Sequence, residues 1–235
     1  MMKLSNRLLT VASFVTEGNV LADVGTDHGY IPIYLLQKEQ IPRAIAMDIN
    51  EGPLQRAKEH IRQFQLENYI ETRLSDGVAA LKPGEVNSIL IAGMGGGLVM
   101  HILEEGCEVC RQANELILQP QSELERVRNY LWMNGYVILA EEMVLEDEKF
   151  YPMMRVQYQG VVDTVSAENF LFCRYGKLLL EQKHTVLKEY LMREQRVYSE
   201  IRENLSRTGV SEKTKARLFE VEEVLQWNKK ALGYF

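Results

Sequence analysis

Four stretches of this 235-residue chain put glycine or aspartate directly after an apolar run. Gly25-Thr26-Asp27-His28-Gly29 follows "LADV", Asp48 follows "RAIAM", Asp76-Gly77 follows "YIETRLS", and Gly93-Met94-Gly95-Gly96-Gly97 follows "NSILIA". Glycines let a backbone approach a ligand closely, and a helix opening behind them offers free N–H groups. Asp48, 23 residues beyond Gly25, stands where a carboxylate takes both hydroxyls of a ribose. Singly, each feature reads as a tight turn or a helix cap. Jointly, at four consecutive strand ends, they describe a nucleoside site. A dinucleotide fold requires G-x-G-x-x-G so that a pyrophosphate rests on the helix N-terminus. Here Gly25 and Gly29 flank Asp27, whose carboxylate repels a phosphate but suits a cofactor with a cationic amino-acid end. S-adenosylmethionine is such a cofactor. Asp48 would take its ribose, Asp76 its adenine amino group and the first loop its methionine portion.

The elements that must position these residues follow from periodicity. Short β-branched runs at 20–25, 43–48, 69–75, 87–93 and 114–120 alternate with amphipathic stretches near 30–39, 51–65, 95–105 and 122–134. That alternation predicts an α/β, Rossmann-like parallel sheet covered on both faces, preceded by a helix over 4–17. After Gly135 two strand-like runs surround Glu146-Asp147-Glu148-Lys149 with no room for a helix, which predicts an antiparallel hairpin closing the sheet, as in class I methyltransferases. From about Ala167 strand signals vanish. One long helical stretch, a break at Thr208-Gly209 and a second helix N-capped by Ser211 predict a helical, coiled-coil-like C-terminal domain of two antiparallel helices. The expected division is residues 1–162 and 163–235.

Composition bounds the function. A hydrophobic fraction of 46% and a charged fraction of 26% are those of a globular chain. No apolar run approaches membrane-spanning length and the N-terminus is too polar for a signal peptide, so a cytoplasmic protein is expected. The net charge of −6 argues against a protein that coats nucleic acid. Residues 163–235 nevertheless hold 13 Lys+Arg against 11 Asp+Glu, leaving 14 against 22 before them, so any RNA phosphate contact falls largely to the second region. Cys107 and Cys110 form a CxxC with no second pair or neighbouring histidines, and no metal site is expected. His60, His101 and His184 read as structural or solvated. Trp132-Tyr136 and Phe150-Tyr151 read as core, with Tyr151 able to border a target base, and Gln119-Pro120-Gln121 as a turn.

"ADVGTDHGYIPI", "AMDIN", "SDG", "IAGMGGG", "ILQPQ" and "EDEKFYPM", in this order, closely resemble the bacterial tRNA (adenine-N1)-methyltransferases that modify adenine 22, the TrmK family. The resemblance covers residues 1 to about 160, and the helical extension matches in kind. It implies a cofactor pocket of Gly25, Thr26, Asp27, His28, Gly29, Asp48, Ile49, Asp76, Gly77, Gly93 and Met94, a tRNA partner and no membrane. The chain lacks the Asp/Asn-Pro-Pro-Tyr/Phe string with which many amino-methylating enzymes grip an exocyclic amine. Adenine N1 has a free lone pair in the neutral base and needs no such grip. Catalysis is then expected to rest on positioning and nearby negative charge, with Asp27 giving electrostatic help and His28 and Tyr30 shaping the adenine pocket. His28 as a helix-start residue and Tyr30 as core filler are the plainer readings. A noncatalytic RNA-binding module, or a methyltransferase for another acceptor, is the rival function.

Overall fold

The computed structural model describes residues 2–162, 167–207 and 211–235, and the chain divides into two compact units, Met1–Thr164 and Val165–Phe235. The first unit opens with α1 (Asn6–Ser13), followed by β1 (Leu21–Val24), α2 (Tyr30–Gln37), β2 (Ala44–Asp48), α3 (Glu51–Gln63) and β3 (Ile70–Leu74). It continues through β4 (Ser88–Met94), α4 (Gly96–Glu105), α5 (Cys107–Gln112), β5 (Glu115–Pro120), α6 (Leu124–Met133), β6 (Tyr136–Glu146) and β7 (Lys149–Tyr158). The sheet order is β3-β2-β1-β4-β5-β7-β6. The first five strands are parallel, and β7 runs antiparallel to both β5 and β6. The Rossmann-like sheet with its closing hairpin is therefore present.

Side-chain alternation explains the two covered faces. Leu21, Ala44, Ala46, Leu90 and Ile117 pack with Val11 of α1, Ile33 of α2 and Ile61 of α3, whereas Ala22, Val24, Met47, Ile89 and Ile91 pack with Val99 and Leu103 of α4 and Leu131 of α6. Strands buried on both sides are predominantly apolar runs, and each fully buried Leu or Ile contributes about 1.5–3 kcal/mol. The N-terminal helix is shorter than its periodicity predicts. Its chain leaves the helix after Ser13 because the Thr16 N–H and hydroxyl both donate to the buried Glu115 carboxylate at 2.8 Å. At the opposite end of the sheet, Asp147 and Glu148 both take positive φ (48° and 61°), making the two-residue turn whose twist matches a hairpin. Cys110 is buried in α5 and its thiol is pushed up to about 12 by burial, so it packs rather than reacts.

The second unit corrects one expectation. The stretch read as one long helix is three: α7 (Ala167–Tyr175), α8 (Lys177–Glu181) and α9 (Thr185–Arg207). The breaks fall at Gly176, with φ +91°, and at Lys183, with φ +52°, both outside the right-handed helical region. The break expected at Thr208-Gly209 lies outside the described residues. Helix α10 (Glu212–Leu232) starts at Ser211, whose Oγ accepts from the Thr214 N–H at 3.1 Å. Helices α9 and α10 run antiparallel: Asn228 Nδ2 donates to the Leu191 carbonyl at 2.9 Å, and Lys188, a turn earlier, lies against Phe235. Glu194 gathers a polar hub between them, accepting from Tyr175 Oη at 2.7 Å and from Asn228 Nδ2 at 2.9 Å.

Gly96 is where α4 presses hardest on its neighbours. A Cβ there would overlap the Ser122 carbonyl and lie 2.9 Å from Val127 Cγ2. Gly96→Ala is expected to destabilise the protein by about 1–3 kcal/mol through overpacking. Gly52→Ala, whose new Cβ meets nothing closer than Arg56 Nη1 at 3.8 Å, is expected to be neutral or stabilising by up to about 1 kcal/mol. Urea unfolding of both variants checks the contrast.

Candidate active site at the carboxyl edge

The first loop is built on β2. The Gly25 and Thr26 N–H groups both donate to the Met47 carbonyl at 2.8 Å, extending the β1–β2 pairing past the end of β1. Gly25 has φ +74°, and a Cβ at this position would overlap the Met94 methyl from the end of β4. Absence of a side chain at Gly25 therefore brings the first and fourth strand ends into contact. Thr26 is buried and donates its hydroxyl to Asp23 Oδ2 at 2.6 Å.

Asp23 is a site residue that sequence reasoning passed over. It is buried at the end of β1, and burial pushes its carboxyl up to about 6, above the ordinary 3.8, with the Thr26 bond opposing and the charge of Asp48 reinforcing the rise. The available signal was an acidic residue inside a four-residue strand with every position buried.

Asp27 is exposed, and its Oδ1 lies 3.0 Å from Arg56 Nη2 and 3.3 Å from His28 Nε2. His28 takes φ +66°, uncommon for a residue with a side chain, just ahead of Gly29. Its ring stacks on Tyr30 at 5.0 Å and on His60 at 5.2 Å, and Tyr30 and His60 lie 5.5 Å apart, so three nearly parallel rings form one wall. His60 Nδ1 sits 3.0 Å from the His28 carbonyl and braces the strained turn from α3. Thirty-two residues separate the two histidines, and no local pattern announced the pairing. His28 Nδ1 is buried with no hydrogen-bond partner among the described residues.

At the second strand end Asp48 is half-buried, and its Oδ1 accepts from the Asn50 N–H at 2.7 Å, which fixes the carboxylate at the edge. Ile49 beside it is 58% exposed, an apolar surface next to the Asp48 carboxylate. Asp76 is exposed after β3, and with Gly77 it borders a cavity of about 220 Å³ closed by His101, Ile102 and Glu105 of α4. Gly93 and Met94 end β4. Thus Gly25 and Met94 touch, Asp27, His28 and Tyr30 cluster, and Asp23 feels the charge of Asp48. Asp76 and Gly77 stand apart on the α4 side.

The helix N-termini decide which ligand chemistry the edge tolerates. At α4 the Gly96 N–H donates to Ser122 Oγ at 3.2 Å and the Gly97 N–H to Glu123 Oε2 at 2.9 Å, so a protein carboxylate already fills the seat a phosphate would need. At α2 the preceding loop carries Asp27. An edge with Asp23, Asp27, Asp48 and Asp76 and no open anion seat at α4 matches a nucleoside with a cationic tail.

Residues 4–154 match the protein family described as "Methyltransferase domain". The tRNA (adenine(22)-N(1))-methyltransferase of Bacillus subtilis (strain 168) is 32% identical over 240 residues, covering 99% of this chain and 98% of that protein. The crystal structure of the B. subtilis m1A22 tRNA methyltransferase TrmK superposes with a TM-score of 0.86 at 32% identity, over 99% of this chain and 100% of that one. M. capricolum TrmK in complex with S-adenosyl-homocysteine superposes with a TM-score of 0.83 at 25% identity, over 100% of this chain and 99% of that one.

Asp23 gives the site a pH signature. Its raised folded value means the native state holds the proton more tightly than the unfolded chain. That stabilisation is complete below about pH 4 and is lost, by about 3 kcal/mol, as pH rises through 6. Relative to wild type, Asp23→Asn is expected to gain about that much stability between pH 4 and pH 7.5. Urea unfolding across the range checks it, and a pH-independent difference would contradict the assignment.

Proposed function

The chain belongs to the methyltransferase-domain family, among the tRNA (adenine(22)-N1)-methyltransferases, and we propose that it transfers a methyl group from S-adenosylmethionine to N1 of adenine 22 in tRNA. The observation that carries this reading is the carboxyl edge itself: Gly25 under Met94, Asp48 fixed by Asn50, and acidic side chains where a dinucleotide fold would seat phosphate. The relatives' names supply the acceptor.

When bound, S-adenosylmethionine supplies an electrophilic methyl on a sulfonium, to which the adenine N1 lone pair adds as the thioether leaves and the ring becomes cationic. Asp48 would hold the ribose hydroxyls, Ile49 an adenine face and Asp76 with Gly77 the adenine edge. Gly25, Thr26 and Gly29 form the floor for the amino-acid end, and Gly93 and Met94 the opposite side. Asp27 would favour the cationic centre electrostatically once Arg56, an exposed partner, yields its place. His28 and Tyr30, braced by His60, would form the wall against the acceptor ring. No base is required, because adenine N1 carries no proton to remove. On this reading residues 1–162 perform the chemistry and residues 163–235 grip the tRNA, with Arg196, Arg202, Arg207 and Lys213 exposed on α9 and α10.

Incubation with methyl-labelled S-adenosylmethionine and unmodified tRNA, followed by nucleoside analysis, is expected to place label in 1-methyladenosine. Cofactor binding without label in any tRNA nucleoside would favour the noncatalytic rival. Asp48→Ala is expected to weaken cofactor binding by about 1.5–3 kcal/mol per lost charge-assisted bond, read by calorimetry. Exchanging Arg196, Arg202, Arg207 and Lys213 together for Gln is expected to weaken tRNA binding and flatten its salt dependence while sparing cofactor affinity. An unchanged salt slope would return those helices to a structural role.

A further inference from the structure

A second cluster occupies the carboxyl edge beyond β4, outside the residues assigned above to the cofactor. Arg7 projects from α1, and its Nη1 donates to Gln119 Oε1 at 2.8 Å. Its guanidinium carbon lies 5.3 Å from the Tyr151 ring centroid, and its backbone N–H donates to Glu146 Oε1 at 3.2 Å. Because β7 is antiparallel to both β5 and β6, the β6–β7 turn lies at the same edge as the ends of the parallel strands. Gln119 pairs with Ala92, immediately before Gly93 and Met94, so the cluster begins one strand away from the residues that meet Gly25.

Gln119 is fully buried, and its acceptor oxygen is spent on the arginine. It holds the guanidinium and does not read a ligand itself. Among the described residues the guanidinium has no ion-pair partner. A half-buried cation set by a neutral amide and an aromatic face, with the neighbouring Glu146 carboxylate turned to the Arg7 backbone N–H and no carboxylate within ion-pair distance of the guanidinium among the described residues, is arranged for an anion that arrives with the substrate. In RNA the anion within reach of a reacting base is its own phosphodiester, and phosphate contacts fix position where base contacts specify.

We propose that Arg7 grips a phosphodiester of the acceptor nucleotide, with Gln119 and Tyr151 as positioning residues that fix the plane of its guanidinium. The inference rests on the tRNA-methyltransferase reading above. A base inside a folded tRNA must leave its stack before N1 can be reached. A fixed hold on its backbone keeps the extruded nucleotide in place at the strand ends.

The test uses the full chain and unmodified tRNA. Arg7→Met, which keeps the packing stem, is expected to raise the KM for tRNA about ten- to a hundredfold with cofactor affinity unchanged. The slope of log affinity against log salt should fall by about 0.7–0.9. Arg7→Lys, which keeps the charge, is expected to retain the slope. An independent arm uses wild-type protein and an RNA whose phosphates flanking the acceptor adenine are methylphosphonates, for which about tenfold weaker binding is expected. If Arg7→Met lowers only thermal stability and the neutralised RNA binds as before, Arg7 merely staples α1 to the sheet and the inference is overturned. Wild-type protein that methylates no tRNA would instead overturn the reading on which it rests.

Discussion

The Met47 carbonyl accepts from two successive amides, Gly25 and Thr26, and the geometry of the edge follows from that pair of bonds. A parallel strand ordinarily leaves its neighbour at its last residue. Here the pairing runs one residue further, and the chain must then turn sharply, which Gly25 permits with φ +74°. The turn buries Thr26, and Thr26 in turn gives the buried Asp23 carboxyl a hydrogen bond. The exit from this turn is so tight that His28 takes a left-handed conformation, braced by His60 from the next helix. A local backbone constraint thus sets the position of Asp27, His28 and Tyr30 together. None of the three is placed by its own propensity.

Charge selects the ligand class more sharply than shape does. Parallel sheets present helix N-termini at their carboxyl edge and so favour anions. This edge reverses that preference by spending its own carboxylates: Glu123 fills the α4 terminus, and Asp27 stands before α2. Burial, reinforced by the charge of Asp48, raises the cost of ionising Asp23, which a nearby cation relieves. The same edge keeps at the β5–β7 side a cation, Arg7, whose guanidinium has no ion-pair partner among the described residues. The polarity of the edge therefore changes along its length, acidic at β1 and β2 and basic at the β5–β7 side, which agrees with the proposed places of the sulfonium and of the RNA backbone.

Legibility in the sequence followed the range of the interactions. Strand ends were readable because apolar runs such as "NSILIAG" can only be interior strands, and the glycine or aspartate after each marks the edge. The hairpin was readable because Glu146 to Lys149 leaves no space for a crossover. The shortened α1 was not, because Glu115, which draws Thr16 out of helical geometry, lies 99 residues away. Arg7 with Gln119, 112 residues apart, and His28 with His60 were invisible for the same reason. Gly176 was in plain view but was read as part of a continuous helix, since a lone glycine in a strongly periodic stretch is ordinarily tolerated. Lys183 gave no warning, as lysine has no preference for the conformation it adopts.

The second unit shows how a helix pair with an even, interleaved charge pattern acquires one register. Apolar stripes alone permit α9 and α10 to slide by a turn with little loss. Glu194 removes that freedom. It lies largely buried and accepts from Tyr175 on α7 and Asn228 on α10, with Arg174 Nη2 at 3.8 Å. Burial of the Tyr175 phenol, reinforced by the charge of Glu194, holds it well above its ordinary value. Sliding α10 past α9 by a turn would take the Asn228 donor from a largely buried carboxylate, a cost of about 1–3 kcal/mol. Buried polar groups of this kind fix register at some expense in stability. The same register sets the spacing of Arg196, Arg202, Arg207 and Lys213, exposed on these two helices and assigned to the RNA backbone in the proposed function.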